Sequence, residues 1–95
     1  MRKATNKDRE VTYMLPRIKE IWPEDDLELL VVFDDGKKVL YDVKEDIEEL
    51  PDYSVLREVA GLFQQVQVDP SRTCVYWNDV VDLASDSIYE YGKAI

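Results

Sequence analysis

The strongest constraint lies in residues 27–43, LELLVVFDDGKKVLYDV, where two apolar runs flank Asp34, Asp35 and Gly36. In an extended chain successive side chains point to opposite sides, so Leu27, Leu29, Val31 and Phe33 share one face. Val39, Tyr41 and Val43 alternate in the same way. A two-residue loop at Asp35 and Gly36 would pair Phe33 with Lys38 and Val31 with Leu40, setting the apolar row against the mixed one. A three-residue loop over 34–36, with Gly36 left-handed, pairs Val31 with Val39, Leu29 with Tyr41 and Leu27 with Val43. Only this second register puts both apolar sets on one side, because a one-residue slip turns every side chain over. The spacing therefore predicts a three-residue loop that needs glycine at position 36. Leu30, Val32 and Leu40 leave the opposite face partly apolar, which predicts a cover from a helix, a second subunit or a partner.

The flanking segments extend this hairpin into a domain. Residues 15–22, LPRIKEIW, read as a short strand with Ile18 and Trp22 on one face and Ile21 on the other. Residues 23–26, PEDD, form the turn into Leu27. Residues 42–52, DVKEDIEELPD, suit a helical turn that faces Ile47 and Leu50 inward and ends at Pro51. Ser54 can cap an amphipathic helix in which Val55, Leu56, Val59 and Leu62 recur at helical steps and Gly61 closes the last turn. Val66 and Val68 then alternate with glutamines, and after a loop with Pro70 the run 74–77 pairs back as a second hairpin. Residues 80–83 resume extended structure, and Ser85 can cap a final helix over 86–91. The expected class is α+β: antiparallel β-hairpins of about five strands, one short amphipathic helix packed on the sheet and a short C-terminal helix. Residues 1–13 are expected to be a mobile arm and residues 14–95 a single domain.

Composition narrows the function classes. A hydrophobic fraction of 45% is enough for one packed core in a 95-residue chain, which argues against wholesale disorder. No apolar run approaches the roughly 20 residues that span a bilayer, and the N-terminus lacks the apolar centre of a signal peptide, so a cytoplasmic location is expected. The net charge is −9. Arg2, Lys3, Lys7 and Arg9 outnumber Asp8 and Glu10, so residues 1–10 carry +2 and the remainder −11. Such a body repels nucleic acid and attracts a basic protein.

The absence of histidine removes the usual general base, and with it Ser/His/Asp and Cys/His triads and HExxH zinc sites. No phosphate-binding glycine motif and no CxxC is present. The lone Cys74 reads as a strand residue, since a reactive thiol needs a nearby base to lower its pKa. Among the carboxylates, 24–26 and 34–35 are explained by turn chemistry, and neither matches a calcium loop. Asp79, Asp82 and Asp86 surround a strand-to-helix junction and are the candidates for a cation site. The densest patch is 42–52, with six acids against one lysine. It points to Asp42, Glu45, Asp46, Glu48, Glu49 and Asp52 as residues that would meet a basic partner. The aromatic residues have too few basic neighbours to form a base-stacking platform.

Taken in order, LPRIKEIW, LELLVVFDDGKKVLYDV, LREVAGLFQQVQVD and VYWNDVVDLASDSIY resemble the small prokaryotic proteins grouped as the domain of unknown function 2442 family. The resemblance covers residues 15–91. Its most specific parts are FDDG, the YDV that follows, and Trp77-Asn78 to Asp82-Leu83 with Tyr89 behind. Val80 and Val81 stand where members usually show a glycine before Asp-Leu, and Ser85-Asp86 replaces the usual Pro-Asp. The resemblance implies a β-rich α+β domain without an established activity. It also implies that some members partner small toxin-like proteins encoded beside them, while longer ones append a helix-turn-helix for which 95 residues leave no room.

Together these readings predict a non-enzymatic protein-interaction module, antitoxin-like, that needs no cofactor and binds a basic partner protein such as a toxin. It is expected to contact neither nucleic acid nor membrane directly. The alternatives are a homo-oligomeric structural domain, or a carboxylate-based metal-binding accessory or enzyme.

Overall fold

The computed structural model describes residues 15–95; the expected arm lies outside the described residues. The chain runs β1 (Ile18–Glu24), β2 (Glu28–Phe33), β3 (Lys38–Asp42), α1 (Lys44–Glu49), α2 (Val55–Glu58), β4 (Gln67–Val68), β5 (Cys74–Tyr76), β6 (Asp82–Ala84), α3 (Ser85–Tyr91) and β7 (Lys93–Ala94). Two antiparallel sheets result, one in the order β1-β2-β3-β7 and one in the order β4-β5-β6. The class is α+β, with seven strands rather than about five among the described residues.

The central hairpin takes the register that its apolar period requires. Val31 pairs with Val39 and Leu29 with Tyr41. Phe33 N–H donates to the Lys37 carbonyl at 2.9 Å, and Gly36 N–H donates back to the Phe33 carbonyl at 2.9 Å. Gly36 sits at φ +94°, a conformation that costs a side chain strain, which is why glycine closes this loop. The inward row of Leu29, Val31, Phe33, Val39 and Val43 is fully buried. It joins one core with Val75, Leu83 and Ile88 from the other sheet and α3.

Elsewhere the spacing misleads. A β-bulge between Ile18 and Glu20 shifts the parity of β1, so Ile18 and Val31's partner Ile21 turn inward while Trp22, paired with Leu30, stands 44% exposed. An extra residue reverses the alternation beyond it, so Ile18 and Trp22 do not share a face. The helix expected over 54–62 is a 3-10 turn, Pro51–Ser54, running into the single turn α2. Ser54 is itself helical and makes no side-chain cap, and Val59 is extended and exposed. Leu50 also stays exposed, leaving Ile47 as the buried anchor of α1. At the last helix Ala84 takes the capping position and Ser85 is buried in the first turn, its hydroxyl without a hydrogen-bond partner among the described residues.

The C-terminal closure has no counterpart in the apolar pattern. Gly92 ends α3 so close to β3 that a Cβ there would lie 2.7 Å from the Ile88 carbonyl and 2.9 Å from Val39 Cβ. That close approach lets Lys93 and Ala94 pair with Leu40 and Val39 as β7.

Candidate functional site

The acidic run of residues 42–52 becomes one wall of a cleft of about 580 Å³. Asp42 comes from the end of β3, and Glu45, Asp46 and Glu49 come from α1. The opposite wall is formed by Asp82 to Ala84 of β6 together with Ser87 and Tyr91 of α3. Tyr41 and Tyr53 line it from within, and among the described residues no lysine or arginine does.

The walls are placed by local bonds. Asp42 accepts the Lys44 backbone N–H at 2.9 Å, which serves one of the free donors at the start of α1. The Lys44 ammonium bridges Asp42 at 3.0 Å and Asp26 at 3.1 Å, and its hydrogen bond to Asp42 leads the effects that raise its pKa. The Tyr41 hydroxyl donates to Asp46 Oδ2 at 2.7 Å, holding that carboxylate toward the cleft. Burial first, and then the Asp46 carboxylate, pushes the Tyr41 phenol well up. The Tyr53 hydroxyl donates to the Asp82 carbonyl and so ties the helical segment to β6. Burial, reinforced by Asp82 and Asp46, pushes its pKa up to about 12. Neither phenol is tuned toward neutral pH, where general acid or base work is most effective.

Four of the six residues singled out by charge, Asp42, Glu45, Asp46 and Glu49, face this cleft; Glu48 and Asp52 are exposed outside its lining. The helical period explains the split, because positions 45, 46 and 49 share one side of α1 and 48 does not. Asp82 joins the cleft, a meeting that only the tertiary fold produces. Tyr53, Ser87 and Tyr91 are among the uncharged lining residues that charge counting misses, and no local signal marks them.

The trio Asp79, Asp82 and Asp86 does not come together as a metal-holding group. Among the described residues no group of three or more carboxylates or thiols is arranged to hold a metal ion. The Cys74 thiol is half-buried, and burial, followed by the nearby Asp82 and Asp69, raises its pKa, the opposite of what a nucleophile requires. Among the described residues no helix is long and apolar enough to cross a membrane.

A family profile described as protein of unknown function (DUF2442) matches residues 18–94. The chain belongs to this family. The match runs from the first residue of β1 to the last of β7, so it takes in both sheets and both walls of the cleft. No curated protein and no solved structure matches the chain.

Proposed function

We propose that this member of the DUF2442 family is a non-enzymatic interaction module that receives basic side chains of a partner protein in the cleft between α1 and β6. The observation that carries this reading is the lining itself: five carboxylates converge on a concave surface that, among the described residues, holds no lysine or arginine. Of these five carboxylates Lys44 pairs with Asp42, from outside the lining, and it shares its charge with Asp26. Leu50 and Tyr91, both exposed, give the rim an apolar edge on which the stem of an arginine or lysine can lie. Guanidinium groups suit such a site, because their donors match carboxylates two at a time. A small basic toxin-like protein, the partner that the family resemblance suggests, has this chemistry, and its RNA-binding surface would be the part neutralised. The domain then acts in the cytoplasm, where its single thiol stays reduced.

The reading is tested by titrating the full chain with a synthetic arginine-rich peptide while following backbone amide shifts. Shifts concentrated at Glu45, Asp46, Glu49 and Asp82, weakened by salt and lost in the Glu45→Lys/Glu49→Lys variant, are expected. Shifts spread evenly over every acidic surface, or unchanged by that variant, would overturn it.

A further inference from the structure

The outer face of the four-stranded sheet carries an apolar surface that the described residues leave half-covered. Its middle row is Trp22, Leu30 and Leu40, with Val32 beside Leu30, and all four remain partly or largely exposed. Charges frame this patch unevenly. Glu24 and Glu28 lie at the end where β1 meets β2, while Lys38 and Lys93 lie toward the opposite corner, on β3 and β7. The inward residues of β2 hydrogen-bond to β3, as Phe33 does to Lys37. This places β1 on the right of β2 when the outer face is viewed with the Gly36 loop uppermost.

We infer that this face binds a second copy of the chain, sheet against sheet at a right angle, through a two-fold axis over Leu30. Two twisted sheets crossed in this way approach at one pair of opposite corners and part at the other. Here the approaching corners are those of Glu24 and Lys38. The two-fold exchanges them, so each Glu24 meets the other copy's lysine and each Glu28 comes within reach of the other copy's Lys93. Trp22 settles on the other copy's Val32, and Leu30 meets its own equivalent. Glu20 and Asp42, which the axis would set against themselves, fall at the parting corners, and Asp42 already holds Lys44. A heterologous basic partner is the poorer occupant, because the patch carries both signs. Three or four strands of this length make a small interface, so the dimer is a weak one that forms with rising concentration. This surface meets the acidic cleft at Asp42, a parting corner, and its use does not depend on what the cleft binds.

The test is sedimentation of the full chain from micromolar to millimolar concentration, with Trp22 fluorescence followed in a Trp77→Phe background. Reversible dimerisation with a blue shift of Trp22 is expected. Leu30→Lys should abolish dimerisation without lowering the thermal midpoint. Glu24→Lys and Lys38→Glu should each weaken it about tenfold or more, and the double variant should restore it. A chain that stays monomeric throughout, as it would if residues 1–14 covered the face, overturns the inference. So does a dimer indifferent to Leu30→Lys, or a charge-swapped double variant no better than either single one.

Discussion

In the four-stranded sheet β1, β2 and β3 run five to seven residues each and pair almost continuously, with one bulge. In the three-stranded sheet no strand exceeds three residues, and side chains supply what the ladder lacks. The Trp77 indole donates to the Phe63 carbonyl at 3.0 Å and its ring stacks on Phe63 with centroids 5.7 Å apart. Asn78 Oδ1 accepts the N–H groups of both Val80 and Val81 at 2.8 Å, which turns the chain into β6. The larger sheet is thus specified by an alternating pattern and one glycine, the smaller by individual side chains that bond to backbone. A pattern distributes its information over many positions; a tie concentrates it in one.

That difference should appear as unequal sensitivity. Trp77→Ala removes a 7%-exposed ring, its stack and the donor to a backbone carbonyl, and should cost about 3–5 kcal/mol. Gly36→Val keeps every core contact. Nothing lies within 4 Å of where its Cβ would be, so the cost is backbone strain at positive φ, about 1–3 kcal/mol. Chemical denaturation of the two variants measures both. A Gly36→Val midpoint equal to wild type, or a loss larger than that of Trp77→Ala, would break the comparison.

The same division governs what could be read from the chain. The hairpin is legible because Leu29, Val31, Phe33, Val39 and Tyr41 repeat with period two and only one register unites them. The bulge in β1 is not, because nothing at Lys19 or Glu20 announces an extra residue, and the parity of Trp22 turns on it. Val55, Leu56, Val59 and Leu62 have helical spacing, yet one turn forms, because Leu56 alone among them is fully buried. Helical spacing records which residues could share a face, while the extent of a helix depends on there being a surface for that face to cover. For the cleft, the run of acids gave one wall, and the side on which 45, 46 and 49 stand follows from the helix period. Its second wall depends on Tyr53 reaching Asp82 across 29 positions, which no local pattern encodes.

Tyr53 also gives the smaller sheet a dependence on pH. Its folded pKa is pushed from 10.0 up to about 12, so the folded chain keeps a proton that the unfolded chain gives up near pH 10. The unfolded state then binds fewer protons, and stability falls as pH rises between about 10 and 12. Below pH 10 the phenol is protonated in both states and contributes no slope. Tyr41 on β3 shifts in the same direction, so a residual decline is expected after Tyr53 is replaced. Tyr53→Phe should lose about 1 kcal/mol at neutral pH, through the Asp82 carbonyl it no longer serves, and should decline less steeply above pH 10. Parallel wild-type and Tyr53→Phe curves of denaturation midpoint against pH would show that this phenol does not stay protonated in the fold.

The smallest effect concerns the seam between the sheets, where Arg72 performs both kinds of work at once. Its guanidinium holds Asp34 through two bonds of 2.9 and 3.0 Å, tying the β4-β5 loop to the central hairpin. Its carbonyl accepts the Ile18 N–H at 2.8 Å, which fixes the start of β1. Its backbone stands at φ +63°, a left-handed conformation that glycine adopts without strain. Asp34 and Arg72 are both over 40% exposed at their side chains, so solvent screens the ion pair and its loss should cost at most about 1 kcal/mol. Arg72→Ala loses the pair and keeps the strain; Arg72→Gly loses the pair and relieves it, at the expense of a freer unfolded chain. If backbone geometry holds the seam, the two variants should have similar midpoints, and amide exchange at Ile18 should stay slow in both. If the side-chain tie holds it, Ile18 should exchange faster in both variants alike, and the smaller sheet's reliance on single side chains would extend to the join between the two.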